Sequence, residues 1–234
     1  TESFPLFGYD LKDYEALFDE KLDLLQLANE STKVNWQGQL TQSIAGKEVY
    51  PRPVQDKLPL WVATGGHVES TVKIARAGLP IVYAIIGGNP HYFKKLIQAY
   101  REIGREAGHA DKDLKVGAHS WGWIAEDGEQ AVKDYFHPTK QVVDTISKDR
   151  PHWQELTYEQ YLEQVGPNGA MFVGNPDQVA EKLIRMIEDL DLDRFMLHLP
   201  LGSMPHDQVL RAIELFGTQV APKVRAYFAM KERI

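Results

Sequence analysis

The sequence contains no cysteine. That excludes disulfides, thiolate nucleophiles, iron–sulfur clusters and cysteine-ligated zinc in one step, and it fits a reducing compartment, so a cytoplasmic protein is expected. No apolar run approaches the ~18 residues that a membrane span needs. Positive charge is in short supply: 26 Lys and Arg stand against 33 Asp and Glu, a net charge of −7. Nothing in that balance invites a nucleic-acid backbone. The eight histidines lie at positions 67, 91, 109, 119, 137, 152, 198 and 206. None is closer than eight residues to the next, and neither HExxH nor another short metal-ligand spacing occurs, so no metal is expected. GxSxG, GxGxxG and Walker-type loops are missing too, which removes the usual markers of serine hydrolases and of nucleotide-binding open sheets.

What is present is an ordinary soluble composition over 234 residues, with 43% apolar, 10% aromatic and 25% charged residues. That length buries a sizeable core, and one domain over 1–234 is the expectation. The chain opens on TESFPLFGYD, apolar and aromatic where a terminus is usually polar; this reads as a chain cut from the middle of something longer. Asp10 is placed to cap a first helix with an apolar stripe of Leu11, Tyr14, Leu17, Phe18, Leu22 and Leu25. Periodicity is then lost over 32–57, a loop excursion in which VNWQGQL has the look of a short hairpin arm.

From residue 58 the pattern becomes regular. LPLWVAT (58–64), PIVYAII (80–86), LKVGAHSWGWIA (114–125) and RFMLHLPL (194–201) are continuous apolar runs. Each is followed by an amphipathic helix, with Asn89-Pro90 and Asn175-Pro176 as cap and first helical residue for two of them. A second loop excursion covers 150–172. Strands apolar on both faces that alternate with helices mean an α/β protein with parallel strands. Four clear strands are half the number that a (β/α)8 barrel requires, so the expectation is the C-terminal half-barrel of a truncated chain.

The segment with most chemistry in it is WVATGGHVESTVKIARAG (61–78). A buried strand ends, Gly65 and Gly66 turn the backbone, and a helix opens at Glu69, Ser70 and Thr71. Unpaired N–H groups at a helix N-terminus attract phosphate, and flanking hydroxyls add donors. The alternative is a tight turn with Ser70 or a neighbour as cap; Glu69 is the objection, because its charge repels an anion. His119, Trp121 and Trp123 share one strand face, where they frame a flat ring or, the favoured reading, simply pack. His198 reads as a core histidine. LGSMPHDQ (201–208) offers a second Gly-Ser turn before a helix, favoured as a cap built from Ser203, Pro205 and Asp207.

SFPLFGYD, YPRPVQDKLPLWVATGGHVEST, FVGNPDQVAEKL (172–183) and LGSMPHDQVLRAIELFGTQVAPKVR (201–225), in that order, resemble the bacterial luciferase-like flavin monooxygenase family. The resemblance implies a (β/α)8 TIM barrel. It also implies that Gly65, Gly66, Glu69, Ser70 and Thr71 help to hold the phosphate of a flavin. The implied activity is oxidation of a small organic substrate with reduced FMN and oxygen. The reduced flavin would come from a separate reductase; some relatives use a deazaflavin coenzyme and transfer hydride instead. The family's early strands and a glycine–arginine–glycine–serine run that precedes the position of Thr1 have no counterpart here. No catalytic residue is therefore assigned. The chain by itself is expected to be inactive, and to be completed by an N-terminal piece or to associate as an oligomer. A non-catalytic half-barrel that binds a partner chain is the reading from a different functional class.

Overall fold

A computed structural model describes residues 3–150 and 153–231. Its contacts divide the chain into two compact units, Thr1–Leu60 and Trp61–Ile234, where the sequence reads as one piece of barrel.

In the first unit, α1 (Ser3–Leu6) and a 3-10 turn (Leu11–Asp13) precede α2 (Tyr14–Glu30). Asp10 caps the 3-10 turn, its carboxylate accepting from the Lys12 N–H at 3.0 Å. The long helix begins three residues later than that cap suggests. Of the expected stripe only Leu17 is buried, whereas Tyr14, Phe18 and Leu25 are 43%, 42% and 51% exposed, with the Phe4 ring 5.4 Å from that of Tyr14. The excursion over 32–57 holds more order than expected. β1 (Lys33–Trp36) and β2 (Ile44–Glu48) form an antiparallel pair. The connection between them is pinned by Glu20, whose carboxylate accepts from the Thr41 hydroxyl and from the N–H groups of Gln39, Leu40 and Thr41. Those donors, the Thr41 hydroxyl first, hold the Glu20 carboxyl down at about 2. Farther along, Arg52 donates to the carbonyls of Ala28 and Asn29, both at 2.9 Å, satisfying the end of α2.

The second unit alternates strand and helix: β3 (Val62–Thr64), α3 (Val68–Arg76), β4 (Ile81–Ala84), α4 (Lys94–Glu106), β5 (Val116–Ile124) and α5 (Gly128–Asp149). Then follow α6 (Tyr158–Val165), β6 (Phe172–Gly174), α7 (Pro176–Leu190), β7 (Arg194–His198), α8 (His206–Leu215), a π-helical turn (Phe216–Val220) and α9 (Ala221–Lys231). All five strands are parallel, and β4, β5 and β6 are apolar on both faces, as parallel strands commonly are. β3 pairs with β4 and β4 with the first half of β5. β7 pairs with Gly117–Trp121 of β5, and β6 with its last three residues. The nine-residue β5 therefore serves three partners and is the axis of the unit. Both expected caps accept backbone N–H bonds: Asn89 at a 3-10 turn (Pro90–Phe93) that leads into α4, and Asn175 at α7, where it forms a capping box with Gln178; Asp127 caps α5.

Two local expectations are corrected. The excursion over 150–172 contains α6, opened by a Thr157–Gln160 capping box, and leads into a fifth strand, β6. Three residues are too few to show a period, and that is why β6 escapes a pattern-based reading. The RFMLHLPL run is not buried on both sides: Arg194, Met196 and His198 are exposed while Phe195 and Leu197 are half-buried.

Lys182, on α7, is the one buried cation among the described residues. Its ammonium donates to the carbonyls of Val165 (3.0 Å), Gly166 (2.6 Å) and Met171 (2.6 Å), with that of Gln164 at 3.4 Å. It thus closes the C-terminus of α6 and fixes the link into β6. No helix among the described residues is long and apolar enough to cross a membrane.

Candidate functional site

The GG turn lies where its sequence places it. β3 ends at Thr64, Gly65 and Gly66 reverse the chain, and His67 is the residue before α3. Gly66 has φ of +99°, a conformation that side chains rarely adopt, and a Cβ there would lie 2.8 Å from the Phe93 ring. Gly65 faces open space: a Cβ would meet nothing within 4 Å. His67 makes no side-chain cap hydrogen bond, and the first intrahelical bond runs from the Thr71 N–H to the His67 carbonyl at 3.1 Å. The N–H groups of Val68, Glu69 and Ser70 therefore have no partner within the helix. Capping by Ser70, the structural alternative, does not occur; Ser70 is the third helical residue and is half-buried.

Thr71 behaves differently from Ser70. It is 1% exposed, its hydroxyl donates to the His67 carbonyl at 3.0 Å, and it lies 3.2 Å from the Tyr83 phenol oxygen. Burial pushes that phenol up to about 12, so Tyr83 stays a neutral hydrogen-bonding group. The Tyr83 ring meets Phe93 edge-on at 5.6 Å. Thr71, Tyr83 and Phe93 thus brace the turn from behind. Ser70 is a side-chain donor left for a ligand, beside three backbone N–H groups and the helix dipole. This donor set and the open space at Gly65 fit a phosphate. Glu69 joins it through its N–H, while its carboxylate is exposed.

The opposite face of the sheet carries a second cluster. Side chains alternate along a strand, so the register that pairs Ala84 with His119, His119 with Met196 and Trp121 with His198 puts these five on one face. The rings of His119 and His198 are 5.5 Å apart. His119 is half-buried, and burial first, then the neighbouring His198, holds its imidazole below the usual histidine value. His198 is exposed rather than in the core as expected, because β7 has one face to solvent. Trp121 and Trp123 pack, as favoured: both are buried, and Trp123 stacks on Tyr135 at 5.9 Å. Sequence reasoning missed the pairing of the two histidines, which are 79 residues apart. The signal within reach was the Arg194, Met196, His198 alternation. At the second Gly-Ser turn, α8 starts after Pro205 with no side-chain cap, so the Ser203 cap is not formed. Among the described residues no group of three or more potential ligands could hold a metal ion; His152 lies outside them.

A parallel sheet whose strands are each followed by a helix, with a glycine turn at the C-terminal end of one strand, is the arrangement of a (β/α) barrel-type fold. The profile of the luciferase-like monooxygenase family matches residues 1–193, and the chain belongs to that family. A curated relative, the uncharacterized protein y4vJ of Sinorhizobium fredii, is 22% identical over 239 residues, covering 98% of this chain and 67% of that protein. Among solved structures, the monooxygenase RslO1 from Streptomyces bottropensis superposes with a TM-score of 0.77 at 19% identity, covering 94% of this chain and 65% of that one. The coenzyme F420-dependent tetrahydromethanopterin reductase from Methanopyrus kandleri gives 0.60 at 17% identity, covering 88% and 62%. The chain thus spans about two thirds of the length of these relatives. Their structures share its TIM-barrel-type fold.

Proposed function

We propose that this chain is the phosphate-holding portion of a flavin-dependent oxidoreductase that oxidises a small organic substrate with reduced FMN and oxygen. The observation that carries the reading is the turn from Gly65 to Thr71, with its three unpartnered N–H groups and the Ser70 hydroxyl, in a chain of the luciferase-like monooxygenase family. The bound flavin supplies the redox chemistry that this chain's side chains lack. The protein's part is to fix the phosphate at the N-terminus of α3 and to present a water-excluding face to the ring. Gly65 leaves room for the phosphate. Gly66 makes the turn, Val68, Glu69 and Ser70 donate N–H groups, and Ser70 adds a hydroxyl; Thr71 supports the turn from behind.

The likeness to an F420-dependent reductase supports a second reading, in which a deazaflavin takes the same phosphate turn and hydride passes without oxygen. Anaerobic titration of the protein with reduced FMN and with reduced F420 distinguishes the two. The expected result is saturable FMN binding, followed by substrate-dependent oxygen consumption on mixing with air. Tight F420 binding without oxygen consumption moves the assignment to hydride transfer, and binding of neither overturns the flavin reading.

A further inference from the structure

We propose that His119 and His198 are the proton-handling pair of this site, facing the flat ring at the far end of a phosphate-anchored cofactor. The inference rests on the reading of the Gly65–Thr71 turn as a phosphate site, and it extends that reading to the other face of the sheet.

The first support is position. Thr64, the last residue before the turn, is level with Tyr83, and the next residue along β4, Ala84, is level with His119. The turn and His119 therefore lie at the same height, near the C-terminal ends of β3 and β4. Neighbouring strands are ~4.8 Å apart, so β5 lies about 10 Å from β3 across the sheet. A five-carbon chain with its ester oxygen, built from bonds of about 1.5 Å, extends over most of that distance. A ring attached to such a chain reaches the histidines when its phosphate sits at Ser70.

The second support is shape. On the face that carries the histidines, β3 and β4 present Ala63 and Ala84 toward their C-terminal ends, with Val82 one step below Ala84, whereas β5 and β7 present His119, Trp121, Met196 and His198. The side nearer the turn is low and the far side is raised, which suits a flat group lying over the alanines with its edge toward the imidazoles. Trp121, 5% exposed, is packed into that raised side.

The third support is chemistry. Two imidazoles with centroids 5.5 Å apart disfavour simultaneous protonation. The other charged group that this register puts on the face is Arg194 of β7, whose guanidinium lies over the Trp61 ring, 4.6 Å from its centroid. β3 and β4 place only Trp61, Ala63, Val82 and Ala84 on this side. His119 is thus biased toward its neutral form, able to accept a proton from the ring or the substrate, with the His198 ring beside it. His119 being held below the usual value by burial and by His198 agrees with this.

The test uses the protein with oxidised FMN as probe. Histidine ring NMR signals are followed on FMN addition, and the bound-flavin absorption band is followed from about pH 5 to about pH 8, the range in which an imidazole titrates. Two of the eight histidine signals should move on binding; His119→Gln should remove one and His198→Gln the other. The wild type should show a pH step in the flavin band that disappears in His119→Gln, since glutamine keeps a neutral hydrogen bond but does not titrate. Ser70→Ala should weaken FMN binding in both backgrounds. FMN binding that depends on Ser70 while no histidine signal moves and the pH step survives in His119→Gln overturns the pair and leaves the phosphate turn standing. No binding of FMN or F420 by the wild type overturns both. The NMR arm on wild-type protein decides the matter even where a variant fails to fold.

Discussion

Replacing Gly122 with alanine should lower the stability of the protein by about 2–4 kcal/mol. Gly122 is where β5 passes from pairing with β7 to pairing with β6. A Cβ there would lie 2.4 Å from the Phe172 carbonyl oxygen, 2.5 Å from the Leu197 Cδ1 and 3.1 Å from the Phe172 Cβ. The first of these is backbone belonging to the neighbouring strand, so a new methyl group is accommodated only by separating β5 from β6. Gly117, on the same strand, is the control. Its closest neighbours would be the Trp61 and Val82 side chains at 3.3 Å, which can yield by a few tenths of an ångström. Urea denaturation of the two alanine variants measures the difference. Equal midpoints for Gly122→Ala and wild type would contradict the convergence of β5, β6 and β7 at this residue.

Substitution of Lys182 by methionine is the second large effect. Methionine matches the length and flexibility of the aliphatic stem but leaves the carbonyls of Val165, Gly166 and Met171 without their donor. An unsatisfied buried polar group costs about 1–3 kcal/mol, so a net loss of about 2–4 kcal/mol is expected, because some of these carbonyls regain water. The opposing effect is desolvation, which pulls the Lys182 ammonium down to about 7. If burial of the charge outweighed the carbonyl ring, the methionine variant would be as stable as the wild type or more so. The three short hydrogen bonds argue for the first outcome, and the denaturation midpoint decides between them. Loss of protection in the amides between α6 and β6 should accompany it.

Most of the fold was legible because its signals are local. Asn89, Asp127 and Asn175 announce helix starts through the side-chain oxygen each offers to the first turn. The runs 80–86 and 114–125 announce parallel strands by being apolar on both faces. β6 was not legible, since three residues between Met171 and Asn175 carry no period and its partner choice depends on β5. Within 32–57 the hairpin arm at VNW was legible, but its partner strand and the connection were not, because they are held by Glu20 and Arg52 acting over about 20 residues of sequence rather than by an apolar pattern.

At the candidate site, the glycines and the free helix N-terminus were readable from the spacing of VATGGHVEST. The separation of roles between two adjacent hydroxyls was not. Ser70 and Thr71 look equivalent in sequence, and only the helix phase turns Thr71 inward to Tyr83. The proximity of His119 to His198 was likewise out of reach, because it arises from the register of two strands separated by three helices and a third strand.

The most direct test of the phosphate turn is parallel titration of wild type, Ser70→Ala and Ser70→Asp with FMN and with riboflavin, which lacks the phosphate. A hydrogen bond to a charged group contributes about 1.5–3 kcal/mol, so Ser70→Ala should weaken FMN binding about 10- to 150-fold. Ser70→Asp should weaken it further through like-charge repulsion, and riboflavin binding should be the same in all three proteins. FMN affinity unchanged by either substitution, or lost in step with that of riboflavin, would contradict a phosphate held at the N-terminus of α3.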